Sequence, residues 1–203
     1  RILIDGKPVR LNNPSDALKA GIGMVHQELA FCENMTIAEN LCLGIMPTAG
    51  PFLNAKKMEE MANSQLEAIG TQMDVNRRLG ELTIGQQQMI QIAAAVGRGA
   101  RILVFDEPTS SLSQAESQKL FDLIKRLQAD GTTAIYVSHR MEEIFQLCDT
   151  ISVLRDGQLV ATKPTEELNE ASLISLMIGR PFEAYFPSHL ESKLGEELLK
   201  VEN

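Results

Sequence analysis

Apolar and polar residues follow two kinds of pattern along the chain. Short apolar runs at residues 22–26, 102–105 and 133–137 predict buried β-strands. Elsewhere, apolar residues recur at the spacing of one helix face, which predicts α-helices. The helical spacing covers residues 54–69, 83–96, 113–130, 140–147 and 170–178.

Two Asp-Gly pairs, at 5–6 and 156–157, each lie between two short strand-like segments. Asp-Gly is a favoured pair for the two-residue turn of a β-hairpin, so we expect a hairpin at each place. Residues 44–51 carry neither the strand nor the helix pattern. They are predicted to form a loop between a short helix near 37–43 and the helix over 54–69.

The strand at 102–105, the helix after it and the strand at 133–137 make a βαβ unit. Such a unit predicts parallel strands joined by a right-handed crossover. Neither strand alternates polar with apolar residues, which predicts a sheet covered on both faces. The expected fold class is therefore α/β, with residues 28–100 mostly helical.

Polar side chains follow both strands of this unit. Asp106 and Glu107 come directly after the first strand, and Ser138 and His139 come after the second. Parallel strands end at one edge of the sheet, where open α/β sheets bind ligands. One carboxylate suits a hydrated Mg²⁺ ion, and its neighbour suits a base that orients or deprotonates a water. The alternative is a strand cap followed by a turn at Pro108.

A second candidate site lies at the start of the helix over 83–96. Thr83 and Gln86 have the spacing of a capping box, and Gly85 lies in the first turn. Free N–H groups at a helix start attract anions, although plain capping explains the same residues.

Gln27 follows the strand at 22–26 and could ligate a metal or orient a water. Its alternative is a solvated loop residue.

Composition and charge exclude several classes of protein and partner. The chain has 203 residues, 44% of them hydrophobic and 23% charged, as in ordinary folded proteins. A net charge of −8 with two Tyr and no Trp argues against a general nucleic-acid binder. Three scattered cysteines fit neither a disulfide framework nor a zinc site. No apolar run reaches the roughly 18–20 residues of a membrane helix.

Four motifs occur in a distinctive order: VHQE (25–28), LTIGQQQ (82–88), ILVFDEPT (102–109) and YVSHR (136–140). This order resembles the ATP-binding cassette ATPases, in which they correspond to the Q-loop, signature motif, Walker B strand and H-switch. Further stretches resemble the first cassette of tandem bacterial monosaccharide importers of the ribose, galactose and xylose type. These are DGKPV (5–9), GIGMVHQEL (21–29), AENLCLG (38–44), SHRMEEI (138–144) and LMIGR (176–180).

The resemblance implies a role for each candidate residue. Asp106 would hold Mg²⁺ through water, Glu107 would polarise the attacking water, and His139 would contact the γ-phosphate of ATP. Gln27 would sense the γ-phosphate and Mg²⁺ and relay that state to a permease.

The signature residues would act in an assembly of two cassettes. Thr83, Gly85 and Gln86 would contact the nucleotide of the opposing cassette across a head-to-tail dimer. The opposing cassette would be a second nucleotide-binding domain of the same chain, or another copy of it. ATP and Mg²⁺ are the cofactors that this arrangement implies.

The implied fold is a P-loop NTPase-like ABC ATPase core. It would have a mostly parallel sheet with flanking helices, a helical subdomain and an antiparallel hairpin element. Residues 1–27 would belong to the core up to the Q-loop, and residues 28–100 would form the helical subdomain with the signature motif. Residues 101–180 would be the core with Walker B and the H-switch. Residues 181–203 would be a linker and the start of a second cassette, with its first strand at 198–203.

The sequence departs from the family pattern in three ways. No G-x-x-x-x-G-K-[ST] phosphate loop occurs in it, so we expect an N-terminally truncated cassette that is inactive alone. Ile84 stands where the commonest signature has Gly, as sugar importers often show. Ser113 stands where the D-loop usually has Asp, which leaves Ser113 the role of a helix cap. Ser113 and Glu116 have the spacing of a second capping box.

The expected function is to power import of a monosaccharide by ATP hydrolysis. Its expected partners are integral membrane permease subunits and, through them, a periplasmic sugar-binding protein, but no nucleic acid. It would lie at the cytoplasmic face of the bacterial inner membrane as a peripheral subunit. The alternatives are an ABC-type ATPase in translation, repair or regulation, and a non-catalytic interaction module.

Overall fold

A computed structural model of the chain describes residues 1–26 and 31–179. By its internal contacts the chain divides into two compact units, the first ending at Leu147 and the second beginning at Cys148. The predictions made for Gln27 and for residues 181–203, including the strand at 198–203, fall outside the described residues.

The first unit contains the strands and helices that carry the described candidate site residues. In chain order its elements are β1 (Ile2–Ile4), β2 (Lys7–Val9), α1 (Pro14–Lys19), β3 (Ile22–Val25), α2 (Ile37–Leu41), β4 (Thr48–Ala49), β5 (Phe52–Leu53), α3 (Ala55–Ala68), α4 (Ile84–Gly97), β6 (Ile102–Asp106), α5 (Gln114–Ala129), β7 (Thr133–Val137) and α6 (Met141–Leu147).

 The sequence-predicted helices and strands of this unit are present within a few residues of their expected bounds.

A parallel sheet of three strands forms the centre of the first unit. Its order is β3-β6-β7, with β6 in the middle and α5 connecting β6 to β7, so the predicted βαβ unit is confirmed. The register pairs Val25 with Phe105 and Phe105 with Tyr136, which brings the three strand ends to one edge. Leu103 and Phe105, two residues apart on β6, lie on the same face of the sheet and are both buried.

The prediction that both sheet faces are covered is wrong for β7. Ile135 and Val137 are 50% and 47% exposed, although α5 contacts this strand. β7 is an edge strand within the described residues, and one of its faces has no helix over it there. An apolar run therefore identified the strand correctly but did not determine what covers it.

Helices α2, α3 and α4 pack together in the part of the unit that was predicted to be mostly helical. Their apolar faces bury Leu41, Leu66 and Ile90. Asn54 caps α3 by accepting a hydrogen bond from the Lys57 backbone N–H, so this helix begins where the sequence pattern begins. α4 also contacts β3, which joins the helical part to the sheet.

The hairpin at the start of the chain is confirmed, and the predicted loop over 44–51 is partly wrong. β1 and β2 pair antiparallel, with Asp5 at φ 51° and Gly6 at φ 75°, as a type I′ turn requires. Within and just after the predicted loop, β4 and β5 form a second small hairpin. Its strands have two residues each, too few to produce an alternating pattern.

The second unit contains β8 (Thr150–Arg155), β9 (Gln158–Pro164) and α7 (Glu170–Ile178). β8 and β9 pair antiparallel around Asp156 and Gly157, as the second Asp-Gly pair predicts. α7 ends at Gly179, whose φ of 83° provides the left-handed C-cap that glycine favours. Across the described ranges, no helix combines the length and apolar character needed to cross a membrane.

Candidate functional site

The carboxyl edge of the parallel sheet brings together the predicted acidic and imidazole side chains. Asp106 is the last residue of β6, and Glu107 follows it. The Glu107 backbone N–H donates to the Val137 carbonyl at 2.9 Å, which continues the β6–β7 pairing beyond the strand. Glu107 Oε1 lies 2.9 Å from His139 Nδ1, so the expected convergence of these side chains is present.

Glu107 has an unusual backbone conformation. Its φ of 45° lies in the left-handed region, which is uncommon for a residue other than glycine. Such a conformation costs on the order of 1–3 kcal/mol and often occurs at functional sites. Here it accompanies a side chain that is one-third exposed and paired with the exposed imidazole of His139.

Asp106 provides a carboxylate suited to Mg²⁺. It is half-buried, and its side chain has no hydrogen-bond or ion-pair partner among the described residues. Those residues contain no group of three or more His, Cys, Asp or Glu that could hold a metal by itself. Mg²⁺ commonly uses one or two carboxylates together with water and substrate phosphates, so a single uncommitted carboxylate fits this ion.

A buried carboxylate behind this edge was missed by the sequence analysis. Glu143 on α6 is 4% exposed. It accepts hydrogen bonds from Thr109 Oγ1 at 2.7 Å, Tyr136 OH at 2.8 Å and Ser138 Oγ at 3.2 Å. Arg140 NH1 forms an ion pair with it at 2.9 Å.

Glu143 therefore ties together the two chain segments that carry Glu107 and His139. Thr109 lies two residues after Glu107, and Ser138 directly precedes His139. The available sequence signal was its position four residues before Leu147, which puts its side chain on the same helix face as an apolar one. A charged residue on such a face indicates a buried polar network, because an unpaired charge there would be costly.

The end of β3 has a further anchor that the sequence analysis missed. Gln91 on α4 is buried, and its side-chain amide faces the backbone of His26. With the amide oriented so that donors meet acceptors, it donates to the His26 carbonyl at 3.3 Å and accepts from the His26 N–H at 3.2 Å. The amide thus holds the residue that precedes Gln27, and Gln27 itself lies outside the described residues.

The predicted capping box at the start of α4 is present. The Gln86 N–H donates to Thr83 Oγ1 at 3.2 Å, and the Thr83 N–H donates to Gln86 Oε1 at 3.1 Å. Gly85 is buried in the first turn. This group and the Glu107–His139 pair share no hydrogen bond or ion pair within the described ranges, so they form two separate clusters.

Glu116 of α5 also joins the cluster at the start of α4, although its spacing from Ser113 predicts only a capping role. The Thr83 hydroxyl donates to Glu116 Oε1 at 3.3 Å. Hydrogen bonds from Ser113, with further ones from Thr83 and the Gly85 backbone, hold the pKa of Glu116 below its ordinary value. The carboxylate is therefore charged at neutral pH.

The fold and the site describe an α/β protein with its polar groups at the carboxyl ends of parallel strands. A family model described as ABC transporter matches residues 1–110, more than half of the chain. The chain belongs to the ABC transporter family.

Curated relatives agree with this assignment. Ribose import ATP-binding protein RbsA 2 of Escherichia coli O157:H7 is 42% identical over 98% of the chain. Arabinose import ATP-binding protein AraG of Vibrio parahaemolyticus is 43% identical over 100% of it. Galactose/methyl galactoside import ATP-binding protein MglA of Escherichia coli K12 is 42% identical, also over 100%. The chain spans 40% of the length of each of these relatives.

Solved structures show the same fold. The structure of cbiO1 from Clostridium perfringens, part of the ABC transporter complex cbiONQ, matches 82% of this chain and 66% of its own with a TM-score of 0.66 and 21% identity. A nucleotide-free ATP-binding cassette from an ABC transporter matches 87% of this chain and 73% of its own, with a TM-score of 0.65 and 24% identity. The predicted fold class is confirmed.

Proposed function

We propose that this chain is part of an ATP-hydrolysing subunit that powers the import of a monosaccharide through a membrane permease. The observation that carries the proposal is the Glu107–His139 pair beside Asp106, at the sheet edge of a chain in the ABC transporter family. The names of the relatives support a sugar as cargo, since they specify ribose, arabinose and galactose import.

In this proposal the three residues at the sheet edge have different roles in ATP hydrolysis. Glu107 orients and polarises the attacking water, and His139 contacts the γ-phosphate and holds Glu107 in place. Asp106 would hold Mg²⁺, and Gln27 would contribute to holding the same ion and the γ-phosphate. Mg²⁺ supplies neutralisation of phosphate charge, which is a large part of catalysis in phosphoryl transfer.

The second cluster acts on the nucleotide of an opposing cassette. Thr83, Gly85 and Gln86 present a hydroxyl, backbone N–H groups and an amide at the start of α4. A helix start of this kind favours phosphate because its N–H groups carry partial positive charge. The opposing cassette is a second nucleotide-binding domain of the same protein or a second copy.

The proposed partners are integral membrane permease subunits and, through them, a periplasmic sugar-binding protein. The proposed location is the cytoplasmic face of the bacterial inner membrane, where ATP is available to a peripheral subunit. Roles in translation, repair or regulation, and a purely non-catalytic role, are not favoured by relatives whose names specify import.

The first test replaces Glu107 in the full-length protein. Glu107→Gln keeps a hydrogen-bonding partner for His139 but removes the base, so we expect kcat for ATP hydrolysis to fall about 10²–10⁴-fold. ATP binding should persist, because the substitution removes no phosphate ligand. Phosphate release and equilibrium ATP binding measure the two effects.

Glu60→Gln provides the control, since Glu60 is an exposed carboxylate on α3. It should leave kcat unchanged. Uptake of labelled ribose, arabinose and galactose in cells that depend on the protein tests the transport role. ATP hydrolysis by Glu107→Gln at the wild-type rate would contradict the catalytic assignment. Unchanged uptake of all three sugars in cells that carry a hydrolysis-deficient variant would contradict sugar import.

A further inference from the structure

The start of α4 already holds a carboxylate of the chain itself. Glu116 Oε1 accepts from the Thr83 hydroxyl at 3.3 Å and lies against the first turn of α4. We propose that Glu116 competes with nucleotide phosphate for this helix start. Glu116 would thereby raise the ATP concentration at which nucleotide binds there. The inference rests on the proposed function, in which Thr83, Gly85 and Gln86 contact nucleotide.

The fit between Gly85 and Glu116 is close. A Cβ atom placed on Gly85 would lie 2.5 Å from Glu116 Oε1 and 2.8 Å from the carboxyl carbon, closer than real Cβ contacts allow. Only glycine at position 85 lets the carboxylate reach this place. The glycine that would admit a phosphate of ATP therefore also admits Glu116.

The other carboxylate oxygen of Glu116 holds the start of α5. Oε2 accepts from the Ser113 N–H at 3.0 Å and from the Ser113 hydroxyl at 2.7 Å. An Asp at position 113, which is usual in the family pattern, could not donate the second of these bonds. Ser113 thus orients Glu116 so that one carboxylate bridges the beginnings of α5 and α4.

The surroundings of Glu116 balance its charge. A cavity of about 490 Å³ beside it is lined by Thr83 and Gly85 and by two acidic and two basic side chains, namely Glu116, Asp122, Lys119 and Arg126. Their formal charges cancel while Glu116 is ionised. Removal of its charge leaves the cavity with a net positive charge next to the helix start.

An arriving phosphate must therefore displace Glu116 or bind beside it. Binding beside it places two negative charges together, which is unfavourable at short range. Displacement breaks the bond to Thr83 that joins Glu116 of α5 to the start of α4. In either case Glu116 opposes phosphate binding, and its displacement would couple nucleotide engagement to the start of α5.

The test compares ATP binding by the full-length protein and its Glu116→Gln variant. Gln also serves at the third position of capping boxes, so the start of α5 should remain intact. We expect the concentration of a non-hydrolysable ATP analogue at half-saturation to fall about five- to tenfold, a coupling of ordinary allosteric size. Glu116→Asp, which shortens the side chain and withdraws its charge from Gly85, should give a smaller decrease.

Asp122→Asn is the matched control, because it removes one negative charge from the same cavity and the same helix but leaves Glu116 in place. For this variant, the concentration of the ATP analogue at half-saturation should change by less than about twofold, as expected for an exposed charge. An equal decrease in both variants would overturn the proposal in favour of a general charge effect. Unchanged or weaker binding in Glu116→Gln would overturn it as well.

These outcomes are distinct from a failure of the proposed function. If the wild-type protein neither binds nor hydrolyses ATP, the proposed function fails and the inference fails with it. If the wild type binds and hydrolyses ATP while Glu116→Gln matches it, only the inference fails. A thermal melt of each variant checks that all are folded.

Discussion

Carboxylates in this chain take their roles from their surroundings. Glu107 is partly exposed and pairs with an imidazole, Glu143 is buried among hydroxyl donors and a guanidinium, and Glu116 bridges two helix starts. Asp106 is half-buried, and its side chain has no hydrogen-bond or ion-pair partner among the described residues. The same chemical group thus provides a base, a structural acceptor, an internal anion and a metal ligand in the proposed scheme.

The buried Glu143 should contribute strongly to stability. Glu143→Gln keeps the side-chain size but leaves Arg140 without its charge partner and places an NH₂ group among donors. We expect the free energy of unfolding to decrease by about 2–4 kcal/mol, since breaking a buried charged network leaves polar groups unsatisfied. Urea unfolding of the wild type and variant measures the difference.

Glu142→Gln is the control for this substitution. Glu142 precedes Glu143 on α6 and is exposed, so its neutralisation should change the free energy of unfolding by at most about 0.5 kcal/mol. Equal stability of the two variants would mean that the hydrogen bonds to Glu143 contribute little.

At the scale of elements, the contact between α4 and β3 depends on small residues. A Cβ atom on Gly23 would lie 2.8 Å from the Ala100 Cβ, 3.0 Å from the Ala95 Cβ and 3.1 Å from Leu103 Cδ2. Gly23 is in the middle of β3, and Ala95 is near the end of α4. The absence of a side chain at Gly23 lets the helix approach the sheet and keeps Gln91 within reach of His26.

Gly23→Ala should therefore destabilise the protein, although alanine usually favours folding by restricting the unfolded chain. Overpacking of a tight contact costs about 1–3 kcal/mol, which exceeds the gain of about 0.4–1 kcal/mol from the unfolded state. The midpoint of urea unfolding should fall accordingly. Met24→Leu, on the exposed side of the same strand, should leave the midpoint nearly unchanged. An increase in stability for Gly23→Ala would show that the contact can relax.

Capping patterns were the most reliable sequence signals for single elements. The boxes at Thr83 and Ser113 were predicted from spacing alone and are formed by the expected atoms. They are local, because both partners lie within one helical turn. The contact from Glu116 to Thr83 joins residues 33 positions apart, and no spacing rule could have predicted it.

At the scale of the whole molecule, each compact unit has a thiol with a raised pKa. Burial raises the pKa of Cys42 in the first unit. Burial, with the adjacent charge of Asp149, raises the pKa of Cys148 in the second. The folded state therefore favours the neutral thiol at both positions.

This shift predicts a loss of stability at alkaline pH. A group with a raised folded pKa contributes stability that is fully present below its unfolded pKa, about 8.5 for a thiol. That contribution decreases as the pH rises through this value toward the folded pKa. We expect the free energy of unfolding to decline above about pH 8.5, and Cys42→Ala and Cys148→Ala each to make the decline shallower. Urea unfolding between pH 7 and 10 measures the slopes, and identical slopes would contradict the prediction.

Much of the fold and the candidate site could be predicted because the information is local or set by topology. Hairpin turns, helix caps and apolar runs each depend on neighbouring residues. The convergence of Glu107 and His139 needed one more step, namely that parallel strands joined by a helix end at the same edge. The order of the motifs then indicated the family.

The rest depended on the packing of distant segments. The cover of β7, the hydrogen bonds around Glu143 and the approach of Glu116 to Gly85 all join elements that no periodicity relates. Local pattern identifies a strand or a helix start because backbone conformation responds to nearby side chains. Which polar group a buried carboxylate meets is decided only when the elements pack, since that meeting depends on their relative positions in space.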